Sequence, residues 1–96
     1  MEFKRITSYQ AKEKLSNPDT VLLDIRDAEN FHNGHVKGAI HFTQEGLPAF
    51  LAETDRALPI LVMCYHGNSS QVVAQFLTEQ GFTDVYSVDG GYEEWK

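Results

Sequence analysis

The stretch that decides the fold is ILVMCYHGNSSQVVAQFLTEQG, at positions 60–81. It opens with Ile60–Cys64, a short apolar run without helical period, which predicts a buried strand. After a polar loop, apolar residues recur on one helical face over Ser70–Gln80, and Gly81 suits the position just past a helix C-terminus. We expect Ser69 or Ser70 to be the N-cap. The pattern predicts a strand, a loop and a helix in succession.

Four other segments have strand patterns. Val21–Ile25 is a short apolar run followed by polar residues, and Val85–Val88 is closed by an Asp-Gly-Gly turn signal. Ala39–Phe42 could add a short strand and Phe3–Ile6 a weak first one.

Helical patterns separate these strands. The first runs from a Ser8 cap to about Leu15, and a second has apolar residues at Leu47, Phe50 and Leu51. Because strands alternate with helices, we predict an α/β fold with a mostly parallel sheet and helices on both faces.

Composition sets the class of protein. The 96 residues are 42% hydrophobic and 23% charged, which predicts one folded domain over residues 1–96 rather than disorder. The net charge of −6 leaves no basic patch for nucleic acid. A single cysteine excludes an intrachain disulfide, and the longest apolar run, Ile60–Tyr65, is too short to span a membrane. Met1–Ile6 has no apolar signal segment, so a cytoplasmic protein is expected.

Cys64 is the candidate nucleophile. It ends a predicted strand, and ligands of open α/β sheets bind beyond the carboxyl ends of strands. The loop after it can direct backbone N–H groups at one point, Gly67 permits the turn this needs, and the next helix adds its positive dipole end. Such surroundings lower a thiol pKa, and the thiolate is the reactive form. The alternative is a small buried residue that merely ends a strand.

Two kinds of cysteine chemistry share this arrangement. A cysteine phosphatase needs an arginine at the position of Ser70, because a guanidinium holds two phosphate oxygens at once. No Lys or Arg occurs between Arg56 and Lys96. A phosphatase is therefore disfavoured, and a nucleophile that carries sulfur as a persulfide remains.

The sequence resembles the rhodanese-homology domains, in particular single-domain thiosulfate sulfurtransferases. The resemblance implies a five-stranded parallel sheet with the catalytic loop at the strand ends, and it covers nearly the whole chain. The matching motifs are Cys64–Ser70, Leu23–Asp27, Phe31, Gly34–Ala39, Gly81–Phe82, Val85–Tyr86, Asp89–Tyr92 and Trp95.

The resemblance also implies a ping-pong sulfur transfer. Cys64 would take the outer sulfur of thiosulfate, release sulfite and pass the sulfur to cyanide or to a dithiol such as thioredoxin. No cofactor is implied. An alternative is a carrier or interaction module that receives persulfide sulfur from a partner protein. The residues implied to bind substrate are Tyr65, His66, Gly67, Asn68, Ser69 and Ser70.

The chain departs from the family in two respects. Many relatives have Arg or Lys in the loop, whereas only His66 can be cationic here, which predicts weak thiosulfate affinity and a pH dependence through His66. The family also usually continues beyond the Trp95 position, so we expect either a shortened last helix or a natural protein that is short.

Other polar groups have simpler interpretations. His32, His35 and His41 lack the spacing of a metal site, and we expect them to bind backbone groups instead. Asp24 and Arg26 are expected to satisfy loop backbone groups.

Overall fold

The computed structural model describes residues 2–95, and its centre is a five-stranded sheet in the order β1-β5-β4-β2-β3. Each pair of neighbouring strands is parallel. The α/β class is confirmed, and the mostly parallel sheet is parallel throughout. The strands are β1 Lys4–Ile6, β2 Val21–Asp24, β3 Ile40–His41, β4 Ile60–Met63 and β5 Val85–Val88.

The strands lie where the sequence predicts them, with small differences in length. Val85–Val88 agrees at both ends, and the other four are each shorter than predicted by one or two residues. β3 is the shortest because it pairs with β2 only through Ile40 and His41, at the edge of the sheet.

Four helices connect the strands, and a fifth follows β5. α2 has no counterpart in the sequence predictions, since it is too short to show an apolar period. α5 lies where the family resemblance implies the last helix. The helices are α1 Ser8–Lys14, α2 Ala28–Asn33, α3 Leu47–Glu53, α4 Ser69–Glu79 and α5 Gly91–Trp95.

The predicted N-caps were wrong, whereas Gly81 does follow the C-cap of α4, with a φ of +100°. Thr7, not Ser8, caps α1: its hydroxyl accepts from the Gln10 N–H while the Gln10 side chain accepts from the Thr7 N–H. The N-cap position of α4 is Asn68, which makes no side-chain capping bond. Ser69 begins the helix, and Ser70 lies inside it with a fully buried side chain.

The core lies on both faces of the sheet. Neighbouring residues of a strand point to opposite faces, so Leu61 and Met63 of β4 pack on the side of α1, while Ile60 and Val62 pack on the side of α4. All four are fully buried. This two-sided burial explains why β4 reads as a continuous apolar run instead of an alternating one.

The strand order places a crevice between β2 and β4. From β2 the chain continues outward to β3, whereas from β4 it continues in the opposite direction to β5. At such a reversal the loops that follow the two strands diverge and leave a ligand cleft. Among residues 2–95, no helix is both long enough and apolar enough to cross a membrane.

Candidate active site

A cleft of about 270 Å³ opens at this reversal. The residues after β2 form one wall and the loop after β4 forms the other. The lining residues are Ile25, Arg26, Cys64, Tyr65, His66, Asn68 and Ser69.

The Sγ of Cys64 is surrounded by hydrogen-bond partners. It lies 3.2 Å from the Gly67 nitrogen, 3.3 Å from the Ser70 nitrogen and 3.4 Å from the Ser70 hydroxyl. Burial alone raises the pKa of the Cys64 thiol. Bonds from the Ser70 hydroxyl and from the Ser70, Gly67 and His66 N–H groups outweigh it, so the pKa lies below the ordinary 9.0. The loop therefore favours the nucleophilic thiolate.

Gly67 makes the tight approach of the loop possible. Its φ is +93°, a conformation that side-chain-bearing residues rarely adopt. A Cβ there would lie 2.9 Å from the Gly90 nitrogen and 3.2 Å from the Val88 oxygen, closer than packed atoms allow. The Gln71 side chain donates to the Gly67 carbonyl at 2.8 Å and fixes the loop against α4.

The start of α5 holds the same loop from the other side. The Tyr92 N–H donates to the Cys64 carbonyl at 2.8 Å, and the Glu93 N–H donates to the Tyr65 carbonyl at 3.1 Å. This contact needs Gly91, whose φ is +56° and whose missing Cβ would overlap the Cys64 and Tyr65 carbonyls. The sequence predicted a turn at Asp89–Gly91 and a family motif at Asp89–Tyr92. It could not show the role of Gly91, which depends on the loop backbone that packs against it.

Arg26 reaches the cleft, but its charge is already neutralised. Its guanidinium lies 2.7 Å from the Asp24 carboxylate, with both side chains almost fully buried, and it donates to the Gly34 carbonyl at 2.7 Å. The hydrogen bond to Asp24 is the main reason why the pKa of Arg26 is raised. It also stacks 3.9 Å from the Tyr92 ring centre. The predicted Asp–Arg arrangement is confirmed.

The predicted site residues differ in how they face the cleft. His66, Asn68 and Ser69 are exposed along its rim, and Tyr65 is half-buried. Gly67 and Ser70 are buried and contact Cys64 from the interior.

The Ser70 hydroxyl contacts a second serine that the sequence does not reveal. The Ser70 Oγ lies 2.7 Å from the Ser87 Oγ, and both side chains are fully buried. Ser87 belongs to β5, seventeen positions from Ser70. Only the pairing of β5 with β4 brings it to the site, so no local pattern could have indicated it.

Two of the three histidines, His35 and His41, bind backbone groups as expected. His35 Nδ1 lies 2.8 Å from the Phe31 carbonyl, and His41 Nε2 lies 2.7 Å from the Arg26 carbonyl. Over residues 2–95 no group of three or more His, Cys, Asp or Glu side chains is placed to hold a metal ion.

Comparison with known proteins agrees with this geometry. Residues 7–96 match the family model of the rhodanese-like domain. The chain is 50% identical to the thiosulfate sulfurtransferase GlpE of Tolumonas auensis, over 99% of this chain and 90% of that protein. It is 47% identical to the thiosulfate sulfurtransferase GlpE of Pseudomonas savastanoi pv. phaseolicola, over 99% and 89% of the two chains.

Solved structures show the same fold. A rhodanese-like domain protein from Staphylococcus aureus superposes with a TM-score of 0.84 at 25% identity, and the match covers 98% of this chain and 92% of that one.

Proposed function

The chain belongs to the rhodanese-like domain family, and we propose that residues 1–96 form one rhodanese domain that works as a thiosulfate sulfurtransferase with Cys64 as nucleophile and sulfur carrier. Close identity to two thiosulfate sulfurtransferases over nearly the whole chain supports the activity. The observation that supports Cys64 is its Sγ, held at the cleft by two backbone N–H groups and a hydroxyl.

In the first half-reaction the Cys64 thiolate attacks the outer sulfur of thiosulfate. A bond forms between Sγ and that sulfur, and the sulfur–sulfur bond of thiosulfate breaks. Sulfite leaves with the bonding electron pair as a dianion, and a persulfide monoanion remains on Cys64. The total charge of −3 is the same on both sides of this step, and no outside oxidant or reductant is needed.

In the second half-reaction an acceptor removes the outer sulfur. Cyanide takes it as thiocyanate and restores the Cys64 thiolate. With a dithiol such as thioredoxin, one thiolate takes the sulfur as a persulfide. The second thiol then closes a disulfide and releases the sulfur as hydrosulfide, so that the dithiol is oxidised while the sulfur is reduced. Because this chemistry needs a reduced thiol, we place the enzyme in the cytoplasm.

Different residues of the cleft stabilise the sulfur anion and bind thiosulfate. Backbone N–H groups from Tyr65 to Ser70 stabilise the negative sulfur as donors do in an oxyanion hole. Exposed His66, Asn68 and Ser69 line the entrance where the sulfonate end of thiosulfate would rest. The Arg26 guanidinium is committed to Asp24, so the substrate meets little net positive charge and binds weakly.

Intact-mass spectrometry of the reduced protein tests the proposal. Wild type treated with thiosulfate should gain one sulfur atom and lose it on addition of cyanide or a reduced dithiol. Cys64→Ser should gain none. A protein that gains sulfur only from a persulfide-donating protein would be the carrier module. No gain from either donor would refute Cys64 as the sulfur carrier.

A further inference from the structure

We propose that Ser87 is a positioning residue, whose hydroxyl holds the Ser70 hydroxyl directed at Cys64 Sγ and so favours the thiolate form of the enzyme. This inference rests on the proposed role of Cys64. It is based on a chain of three buried groups: Ser87 Oγ lies 2.7 Å from Ser70 Oγ, which lies 3.4 Å from Cys64 Sγ. Both serine side chains have no exposed surface, so water does not compete for these bonds.

The number of available protons decides which group donates in each of these hydrogen bonds. Ser70 has one hydroxyl proton, and a Cys64 thiolate can only accept. When Ser70 donates to the thiolate, the short contact between the serines requires Ser87 to donate to Ser70. A hydroxyl that accepts one hydrogen bond donates a stronger one, because successive bonds polarise each other. When Cys64 is a thiol the directions reverse, as Cys64 then donates to Ser70.

The location of the serine pair makes it act differently on the thiolate and on the persulfide. Ser70 and Ser87 lie on the buried side of Sγ, while the cleft opens on the other side. The outer sulfur of a persulfide must extend into the cleft and takes the negative charge with it, away from Ser70. The serine pair therefore stabilises the thiolate more than the persulfide. Since a thiol of lower pKa leaves faster, it assists the release of sulfur to the acceptor.

The titratable groups near the site come from several elements, and one ion pair lies close to Ser87. Arg26 follows β2, Tyr65 and His66 belong to the loop, and Tyr92 and Glu93 come from α5. Arg5 lies beside Ser87 in the pairing of β1 with β5, and Asp89 lies two positions beyond Ser87; their side chains pair with each other at 2.8 Å, and replacing Ser87 changes neither charge. A change of the Cys64 pKa in a Ser87 variant is thus attributable to the hydroxyl chain.

A double-mutant cycle in the full chain tests the proposal. The variants are Ser70→Ala, Ser87→Ala and the double variant. Thr78→Val is the control, since it removes another buried hydroxyl of α4 that bonds only the Ala74 carbonyl. The measurements are the pH titration of the Cys64 thiolate by ultraviolet absorbance and by alkylation rate. Neither needs thiosulfate or an acceptor.

The expected shifts follow from the order of contacts. Ser70→Ala should raise the pKa of Cys64 by about one unit or more, the size expected for one hydrogen bond to a charged group. Ser87→Ala should raise it by a few tenths of a unit, about the gain from one polarising bond. The double variant should match Ser70→Ala, because Ser87 acts only through Ser70. Thr78→Val should leave the pKa unchanged.

The half-reactions provide a second readout. Wild type loaded with sulfur should pass it to cyanide faster than loaded Ser87→Ala by up to about two-fold, and faster than loaded Ser70→Ala by more, in the order of the pKa shifts. Ser87→Thr keeps the hydroxyl and should keep the wild-type pKa, which provides a test should Ser87→Ala fail to fold.

Two results would overturn the proposal: a Ser87→Ala shift that persists in the Ser70→Ala background, or a folded Ser87→Ala with the wild-type pKa. If the cycle behaves as expected but wild type takes no sulfur from thiosulfate, the serine chain stands and the proposed function fails. If sulfur loads normally and the cycle shows no coupling, only the role of Ser87 fails.

Discussion

Replacing Gly91 by alanine should disrupt the catalytic loop, although Gly91 is far from that loop in the sequence. The added Cβ would overlap the Cys64 carbonyl oxygen and lie 2.5 Å from the Tyr65 carbonyl carbon, whereas real Cβ atoms keep at least 3.0 Å from such neighbours. Both carbonyls belong to the loop that holds Sγ. The backbone must retreat by about half an ångström or more, which weakens the hydrogen bonds from Tyr92 and Glu93.

The cost has two parts. A left-handed conformation costs an alanine about 1–2 kcal/mol. Two weakened backbone hydrogen bonds add about 0.5–1.5 kcal/mol each. The total of about 2–5 kcal/mol is a large share of the roughly 5–14 kcal/mol expected for a domain of this size.

Gly38→Ala is the matched control. Gly38 has a φ of +87°, and a Cβ there meets nothing within 4 Å. The Gly38→Ala variant therefore has the free-energy cost of the left-handed conformation without the steric overlap. Thermal unfolding should therefore place Gly91→Ala at least about 4 °C below Gly38→Ala, which corresponds to about 1 kcal/mol or more. Alkylation of Cys64 should slow in Gly91→Ala alone. Equal melting temperatures and equal alkylation rates for the two variants would refute the idea that the start of α5 holds the catalytic loop in place.

Three further predictions concern charge. Asp24→Asn leaves the buried Arg26 guanidinium without its counter-charge, so denaturant unfolding should show a loss of about 3–5 kcal/mol; a loss well under 1 kcal/mol would contradict a buried ion pair. The lowered pKa of Cys64 adds stability that is complete above the ordinary value of 9.0 and lost as the pH falls through the folded value. The stability difference between wild type and Cys64→Ala should therefore grow as the pH rises through this window, and a flat or falling difference would count against it. His66→Ala should raise the KM for thiosulfate, because His66 lines the cleft, and an unchanged KM would exclude His66 from binding.

The three central strands, β2, β4 and β5, were predictable because they are short, mostly apolar runs followed by polar or turn-forming residues. β4 and β5 are fully buried, so nearly every position carries the pattern. α2 and α5 span only six and five residues, too few for an apolar period to be visible. Their positions depend on tertiary contacts.

The helix caps show where residue preference fails. Ser8 and Ser70 are both good capping residues, but the chain enters α1 one residue earlier, and the Ser70 hydroxyl is taken by Cys64 and Ser87. A cap is expected on the surface, whereas Ser70 lies against the sheet. Preference rules describe an isolated helix and cannot register a competing buried partner.

The site itself was only half visible in the sequence. Cys64 and its loop are contiguous, and their chemistry could be inferred from order alone. Ser87 and Gly91 reach the loop through folding, and each contributes something that local sequence does not encode: a second hydroxyl and room for a helix to dock.

The pairing of β1 with β5 has a consequence for how the enzyme acquires its reactivity. Lys4 lies beside Tyr86, so one edge of the sheet joins strands from opposite ends of the described chain. Contacts between such distant segments are slow to form, because a long loop must be closed before they bring any gain. The donors to Cys64 Sγ, by contrast, lie only three and six positions from it, and Ser87 reaches the site through the pairing of β5 with β4. The surroundings that lower the Cys64 pKa can therefore assemble before the slow contacts between β1 and β5 have formed.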